Sequence, residues 1–350
     1  MKTVEKGALM TSSSTGFPYS FFLPSSESLN LVYTVNGSDS PPPVSGYYNF
    51  EVITSPDDTS YSLPSGYQGM ALLPGGTGSQ LDILSGNIGV IDTGSSNTIV
   101  LGAGNDTIGG ARGDTITGGT GADFIDGTAG NQSITAGSAG NETIWGGKGD
   151  TISGGGGANV TIGGAQGDTV TGGTSLTFID GSAGNQSITG GAGAETIWGG
   201  AADTISGGGG TDTIGGAKGD TITGGSGREF IDGSAGYQTI TAGSGNDTVW
   251  GGPLDIIIGG SGQALIGLGT GPEEVGDNNI SGGADTVVGF NQPAGDRIFF
   301  PNESFAAFHS MIAAANVANG NTTIAFADGS TMTLAGITHI DTSFFAFATL

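Results

Sequence analysis

The chain contains no cysteine, two histidines, seven basic residues and no long apolar run. Without cysteine there is no disulfide framework, so hydrogen-bonded ladders, a thin core and metal must hold the fold. Seven Lys and Arg against 32 Asp and Glu leave a net charge of −25. Such a chain is repelled by nucleic-acid phosphates and anionic membrane surfaces and attracts cations, with calcium the expected one. No segment approaches the length of a membrane span, so no membrane insertion is expected. The opening "MKTVEKGALMTSSSTG" lacks the apolar stretch of a secretory signal. His309 and His339 lie outside any spacing such as H-E-x-x-H, and no G-x-S-x-G elbow occurs in a strand-to-helix context. The basic residues are scattered over turns rather than clustered with acids in a groove. No enzyme is expected, and a polysaccharide-active enzyme is the alternative of that kind.

Glycine is abundant instead, at 73 of 350 residues. That density means either disorder or a repeat, and a regular apolar period decides for the repeat. Ile or Val recurs at 108, 116, 125, 134, 144, 152, 162, 170, 179, 188, 197, 205, 214, 222, 231, 240, 249 and 257. Every second one lies 17 or 18 residues from the last, so the unit is a coil of two short strands and two glycine turns. In each strand the central Ile points inward and its neighbours outward. Fainter repeats at Ile83, Ile91 and Ile99 extend the pattern back to about residue 81, giving roughly ten coils.

The expected fold is therefore all-β, a parallel β-roll or β-solenoid over residues 81–290 with three-coil super-repeats. Residues 1–80, with "NLVYTV" and "YYNFEVIT" around "PPPVSG", read as an N-terminal β-rich capping segment that covers the first open edge. Residues 291–350 read as an α+β C-terminal cap. It combines a helix-like "ESFAAFHSMIAAANVAN", with Asn302 as cap and Gly320 as stop, and a hairpin around Asp328 and Gly329.

"GGTGADFID" (118–126) and "GGGGTDTIG" (207–215), with the closely related "LGAGNDTIG" (101–109) and "AGSGNDTVW" (242–250), carry a family resemblance. The region resembles the RTX (repeats-in-toxin) family, whose G-G-x-G-x-D-x-U-x nonapeptides form a calcium-loaded parallel β-roll. This roll serves proteases, lipases, toxins and adhesins alike, so the resemblance speaks to fold rather than activity. The C-terminal segment, with its phenylalanine-rich end "FFAFATL", looks like that of RTX proteins exported by type I machinery. The resemblance implies an uncleaved C-terminal secretion signal, the type I secretion machinery as partner, and a secreted, extracellular or cell-surface location.

The two edges of the coil differ. Loops before the even strands keep the family length and end in Asp106, Asp123, Glu142, Asn159, Thr177, Glu195, Asp212, Glu229 and Asp247. With Asp285 in the last repeat, these carboxylates and amides are the candidate calcium ligands, since calcium takes six to eight oxygens from carboxylates and carbonyls. Asp106, Asp123, Asp212 and Asp247 match the family position; the Glu, Asn and Thr substitutions depart from it. On the opposite edge most loops are one residue shorter, and Arg112, Lys148 and Lys218 place a cation in the turn. Asp114, Asp150 and Asp220 are expected there as turn-closing or ion-paired residues. "ARGD" (111–114) contains a tripeptide by which some proteins engage integrins, but "GKGD", "AQGD" and "AKGD" fill the same slot elsewhere.

The two faces differ as well. Odd strands expose an unbroken hydroxyl array of Thr115, Thr117, Thr135, Thr151, Thr169, Thr171, Thr189, Thr204, Thr221, Thr223, Thr239 and Thr241, completed by serines. The array resembles the T-x-T face of β-solenoid antifreeze proteins; Thr is also simply favoured on exposed strands. Even strands carry Phe124, Trp145, Phe178, Trp198, Phe230 and Trp250 in a super-repeat of 52 to 54 residues. These aromatics are the candidate interface, with the alternative that each Trp covers the glycine of its neighbouring coil. The expected function is a secreted, calcium-stabilised structural or adhesive protein, a homo-oligomer or polymer that assembles outside the cell. An ice-binding protein using the hydroxyl face is the alternative.

Overall fold

The computed structural model describes residues 60–63, 65, 69–73, 75–276, 283–299 and 305–346, with the backbone alone for Leu9–Met10, Phe21–Phe22, Ser28–Val35, Tyr47–Thr54 and residues 305–307. It is nearly all-β, with one α-helix, Phe305–Ala314, among the described residues. The chain divides into two units, 1–161 and 162–350.

In each unit, strands of three to eight residues alternate between two parallel sheets, and the coils stack with core residue on core residue. In the first unit one sheet aligns Val90, Ile108, Ile125 and Ile144 and the other aligns Ile99, Ile116, Ile134 and Ile152. In the second, Val170, Ile188, Ile205, Ile222, Ile240, Ile257, Val275 and Ile298 form one column. Ile179, Ile197, Ile214, Ile231, Val249, Ile266, Val287 and Leu334 form the other. These side chains are buried, and each contributes about 1.5–3 kcal/mol relative to exposure. In most coils one branched side chain per strand is nearly the whole apolar content, so no single coil has a core of its own.

The two units carry about 12 turns in all, more than the ten that the period predicts. Parallel pairing reaches back past the boundary at residue 81: Ser28–Val35 pairs with Tyr47–Thr54, which pairs with Gly69–Leu73, and Ser60–Leu63 pairs with Gln80–Ile83. Residues 1–80 thus contribute coil strands as well as the antiparallel pair Leu9–Met10 and Phe21–Phe22. Glycine and aspartate occur between these strands but at no fixed interval, so the period is invisible there.

The C-terminal region also continues the sheets. Thr331–Leu334 pairs in parallel with Ala284–Val288, and Phe345–Ala346 with Arg297–Phe299. The expected hairpin around Gly329 is present, pairing Thr322 with Leu334 and Ile324 with Met332. The expected helix is shorter than its pattern. It ends at Ala314, and Asn316–Ala318 instead pairs antiparallel with Asn321–Ala325. Asn319 (φ 53°) and Gly320 (φ 80°) form the tight turn between them, since Asn-Gly is the strongest short hairpin signal. Gly320 is a hairpin residue rather than a helix stop. Asn302 and the last four residues of "FFAFATL" lie outside the described residues. Phe308 meets Phe345 edge to face at 4.5 Å, and Phe290 stacks on Phe344 at 5.6 Å, closing the apolar end of the second unit.

Candidate functional site

Side chains on a strand alternate, so the residue two before each core Ile also points into the coil. On the edge that follows the odd strands this position holds Asp106, Asp123 and Glu142 in the first unit and Glu195, Asp212, Glu229, Asp247 and Asp285 in the second. None is more than 3 % exposed. Most accept a hydrogen bond from the coil before: Asp106 N–H donates to Asp123 Oδ1 at 2.9 Å, Glu195 N–H to Asp212 Oδ1 at 2.9 Å and Glu229 N–H to Asp247 Oδ1 at 3.0 Å. Ile88 N–H reaches Asp106, Asp123 N–H reaches Glu142, and Ala264 N–H reaches Asp285 in the same way.

Asp106, Asp123, Glu142, Asp212, Asp247 and Asp285 each spend one oxygen on that ladder, and the oxygens left over are the informative ones. Asp106 Oδ2, Glu142 Oε1, Asp212 Oδ2, Asp247 Oδ2 and both carboxylate oxygens of Glu195 and Glu229 are buried with no hydrogen-bond partner. A buried unsatisfied carboxylate oxygen is costly unless a cation meets it. Backbone carbonyls converge on the same places. A Cβ on Gly207 would overlap the Gly224 carbonyl oxygen and lie 2.9 Å from Asp212 Oδ2. A Cβ on Gly190 would overlap the Gly207 oxygen and lie 3.2 Å from Glu195 Oε2; one on Gly224 would overlap the Ala242 oxygen and lie 3.3 Å from Glu229 Oε2. Gly137 repeats the arrangement in the first unit with the Gly119 carbonyl and Glu142 Oε1. Among the described residues no three acidic or histidine side chains meet at one point, so an ion here needs these carbonyls beside one or two carboxylates. That mixed oxygen set suits calcium.

Burial and like charge act on these acids in the same direction. Burial first, then the neighbouring Asp212 carboxyl, pushes Glu195 up to about 8, and burial with Asp247 pushes Glu229 up to about 8. Burial and Asp123 raise Glu142 to about 7 and Asp106 to about 6. Since these carboxyls titrate higher in the folded chain than in the unfolded one, their contribution to stability is full below the unfolded values near 4. It is lost as pH rises through 6 to 8. Calcium-free protein is therefore expected to keep more of its β signal in circular dichroism at pH 5 than at pH 8. Saturating calcium removes most of that dependence, as spectra at a series of pH values will show.

Two expected positions differ. Asn159 is exposed, with its side-chain N–H donating to Asn141 at 2.8 Å, and Val160 takes the inward position. The alternation counted back from Ile162 places Val160 there, and Asn159 is thereby removed from the candidate ligands. Thr177 occupies its row but closes its own loop, accepting from Gly173 N–H and donating to the Ser175 carbonyl. Glu273 was not among the expected residues. It is buried on the opposite edge, accepts from Gly269 N–H at 2.8 Å and leaves Oε2 unpaired. Its signal was the family-length step of nine residues from Ile266 to Val275.

The aspartates of the opposite edge are satisfied, while Gln132, Gln186 and Gln238 each leave a buried side-chain oxygen unpaired there. Asp114 accepts from Asn97 and Ala111 N–H, Asp150 from Gln132 and Gly147, Asp203 from Gln186 and Gly200, Asp220 from Asp203 and Ala217, and Asp255 from Gln238 and Gly252. In each, one oxygen closes its own turn and the other holds the previous coil. The turn-closing expectation holds, with peptide N–H groups as the partners; the Lys218 ammonium lies 4.2 Å over the Tyr237 ring. Asp114 is fully buried, so "ARGD" cannot present its carboxylate to a receptor.

On the even face Trp198 lies against Gly215 and Trp250 against Gly267, close enough that a Cβ on either glycine would overlap the indole. The Trp-on-glycine packing is present, yet Trp145, Trp198 and Trp250 remain 44 %, 46 % and 44 % exposed. Phe124, Phe178 and Phe230 are exposed beside them in their units. On the odd face the hydroxyls align in register: Thr115 with Ser133 and Thr151 in the first unit, and Thr169, Ser187, Thr204, Thr221 and Thr239 in the second.

The family model described as RTX calcium-binding nonapeptide repeat (4 copies) matches residues 91–108, 108–138, 136–170, 171–202, 201–222, 214–237 and 223–253. No curated protein matches the chain.

Proposed function

Because this chain is an RTX-family β-roll protein, we propose that it is a secreted structural protein whose roll is completed by calcium along one edge and which self-associates outside the cell. RTX nonapeptide repeats bind calcium, and proteins that carry them are typically extracellular. The observation that carries the reading is the confinement of nearly all unpaired buried carboxylate oxygens to one edge, while the aspartates of the other are hydrogen-bonded through both oxygens. In this reading Asp106, Asp123, Glu142, Glu195, Asp212, Glu229 and Asp247 hold the ions together with loop carbonyls, and Asp285 ends the row. The ion supplies positive charge where repelling carboxylates stack, and the protein supplies the fixed oxygens. Binding energy then acts as folding energy. The reading assigns the chain no reaction.

Assembly is the second half of the proposal. In the second unit Phe178, Trp198, Phe230 and Trp250 leave aromatic surface in water on one face, at a regular interval, and such surface drives association. Sedimentation and electron micrographs with calcium should reveal oligomers or filaments. Changing Trp145, Trp198 and Trp250 together to Ala should shift the population to monomer while leaving the circular dichroism intact. A native protein that stays monomeric at all concentrations would refute the assembly half and leave the calcium half standing.

A further inference from the structure

The hydroxyl face of the second unit has no part in the calcium edge or the aromatic surface, and we propose that it is a binding site for crystalline water. Its two columns run from Thr169 to Thr239 and from Thr171 to Thr241, five rungs in strict parallel register, and end where Ile256 and Ile258 replace the hydroxyls. The outward side chains are all Thr or Ser, and nearly all are exposed. None of their hydroxyls makes a hydrogen bond to another described residue. The protein leaves every donor and acceptor of this surface to water.

Three properties select the occupant. The chain carries a net charge of −25, yet these five rungs have no ionisable side chain, the nearest in the column being Glu274, beyond Ile256. A charged partner finds no complementarity there, and a neutral one does. Second, strand stacking sets the hydroxyls ~4.8 Å apart along each column, and the two-residue step sets the columns ~6.6 Å apart. These are fixed repeats in two directions, close to those of oxygen atoms on planes of hexagonal ice. A lattice is the ligand that uses the same spacing at every rung; a folded partner or a flexible chain needs it at only a few. Third, threonine is stiff about χ1, so its methyl and hydroxyl are already ordered before anything binds. Water held between the methyl rows and bonded to the hydroxyls then joins a growing ice surface with little further loss of freedom.

The test uses the full chain with calcium bound. The native protein should slow ice recrystallisation and shape single ice crystals. Thr204→Tyr with Thr221→Tyr should abolish both effects, because bulky rings lift the plane off the face. Thr204→Val with Thr221→Val, which keeps strand preference and removes hydroxyls, should weaken them. Circular dichroism and melting with calcium report that the variants fold. The proposal is overturned if the native protein leaves ice growth unchanged, or if the folded Tyr variant acts on ice like the native chain. It is also overturned if hydroxyl-face variants alter only sedimentation or polysaccharide binding, which would assign the face to a second copy or a glycan.

Discussion

Removing calcium with a chelator at neutral pH is expected to abolish the cooperative melting transition and most of the β signal in circular dichroism. An ion present at a hundredfold excess over its Kd stabilises the state that binds it by about 2.7 kcal/mol. Several such sites along the acidic edge would together contribute on the order of 10 kcal/mol, as much as the whole stability of an ordinary domain. The calcium-free state loses this and bears the cost of carboxyls that are ionised in the unfolded chain at neutral pH but titrate near 8 when buried. Glu195 and Glu229 are buried beside Asp212 and Asp247, with unpaired oxygens and no internal cation to answer them. Returning calcium should restore the fold. Magnesium should not, since it demands near-ideal octahedral geometry and keeps its waters. Unchanged melting in chelator would remove calcium from the account of stability.

Gly210→Ala is expected to destabilise the calcium-loaded protein by about 3–5 kcal/mol, near the upper end for a single substitution. The added methyl would overlap the Gly193 carbonyl oxygen of the preceding coil and approach Asp212 Oδ1 to 3.0 Å. Backbone cannot swing aside as a side chain can. Relief requires parting the two coils, which breaks the hydrogen bond from Glu195 N–H to Asp212 and spreads the oxygens around the ion. Gly227 and Gly245 stand in the same relation to Gly210 and Gly227, so the clash would recur wherever the loop repeats. Gly219→Ala is the control. Its φ of 85° is left-handed but nothing lies near its missing Cβ, so only the conformational cost of about 1–2 kcal/mol applies. Urea melts in saturating calcium should separate the two variants clearly; equal losses would mean that close coil contact is not what the glycine provides.

The roll was legible because its period is carried by residues that cannot be exchanged freely. Ile at each core position and glycine at each turn are set by the inside of a coil one residue wide, and both recur in the chain order. The acidic row was legible for the same reason, and the one misplacement, Asn159 for Val160, came from following polarity instead of alternation. Coils before residue 81 were hidden because Ser28–Val35 and Tyr47–Thr54 are longer strands and the Gly and Asp between the strands recur at no fixed interval. The division between the edges was visible as loop length, but its cause was not. Lys148 and Lys218 suggested ion pairing, whereas the shorter turn brings Gly147 and Ala217 N–H groups onto the aspartates. Loop carbonyls as ion partners leave no trace in side-chain identity at all, beyond the glycine that makes room for them.

The aspartate ladder also has a direction. Where a carboxylate bonds an amide of the neighbouring coil, it lies later in the chain: Asn97 by Asp114, Gln186 by Asp203, Asp203 by Asp220, Glu273 by Asp296. Each of these coils is thus one bond short until its C-terminal neighbour is laid down. A chain that becomes free to fold from its C-terminal end finds each acceptor already in place, so the zipper closes behind it without a gap. A chain folding from its N-terminal end drags an unsatisfied amide at the growing tip throughout. Arrival order alone, with no change in the final structure, separates a quick assembly from a hesitant one.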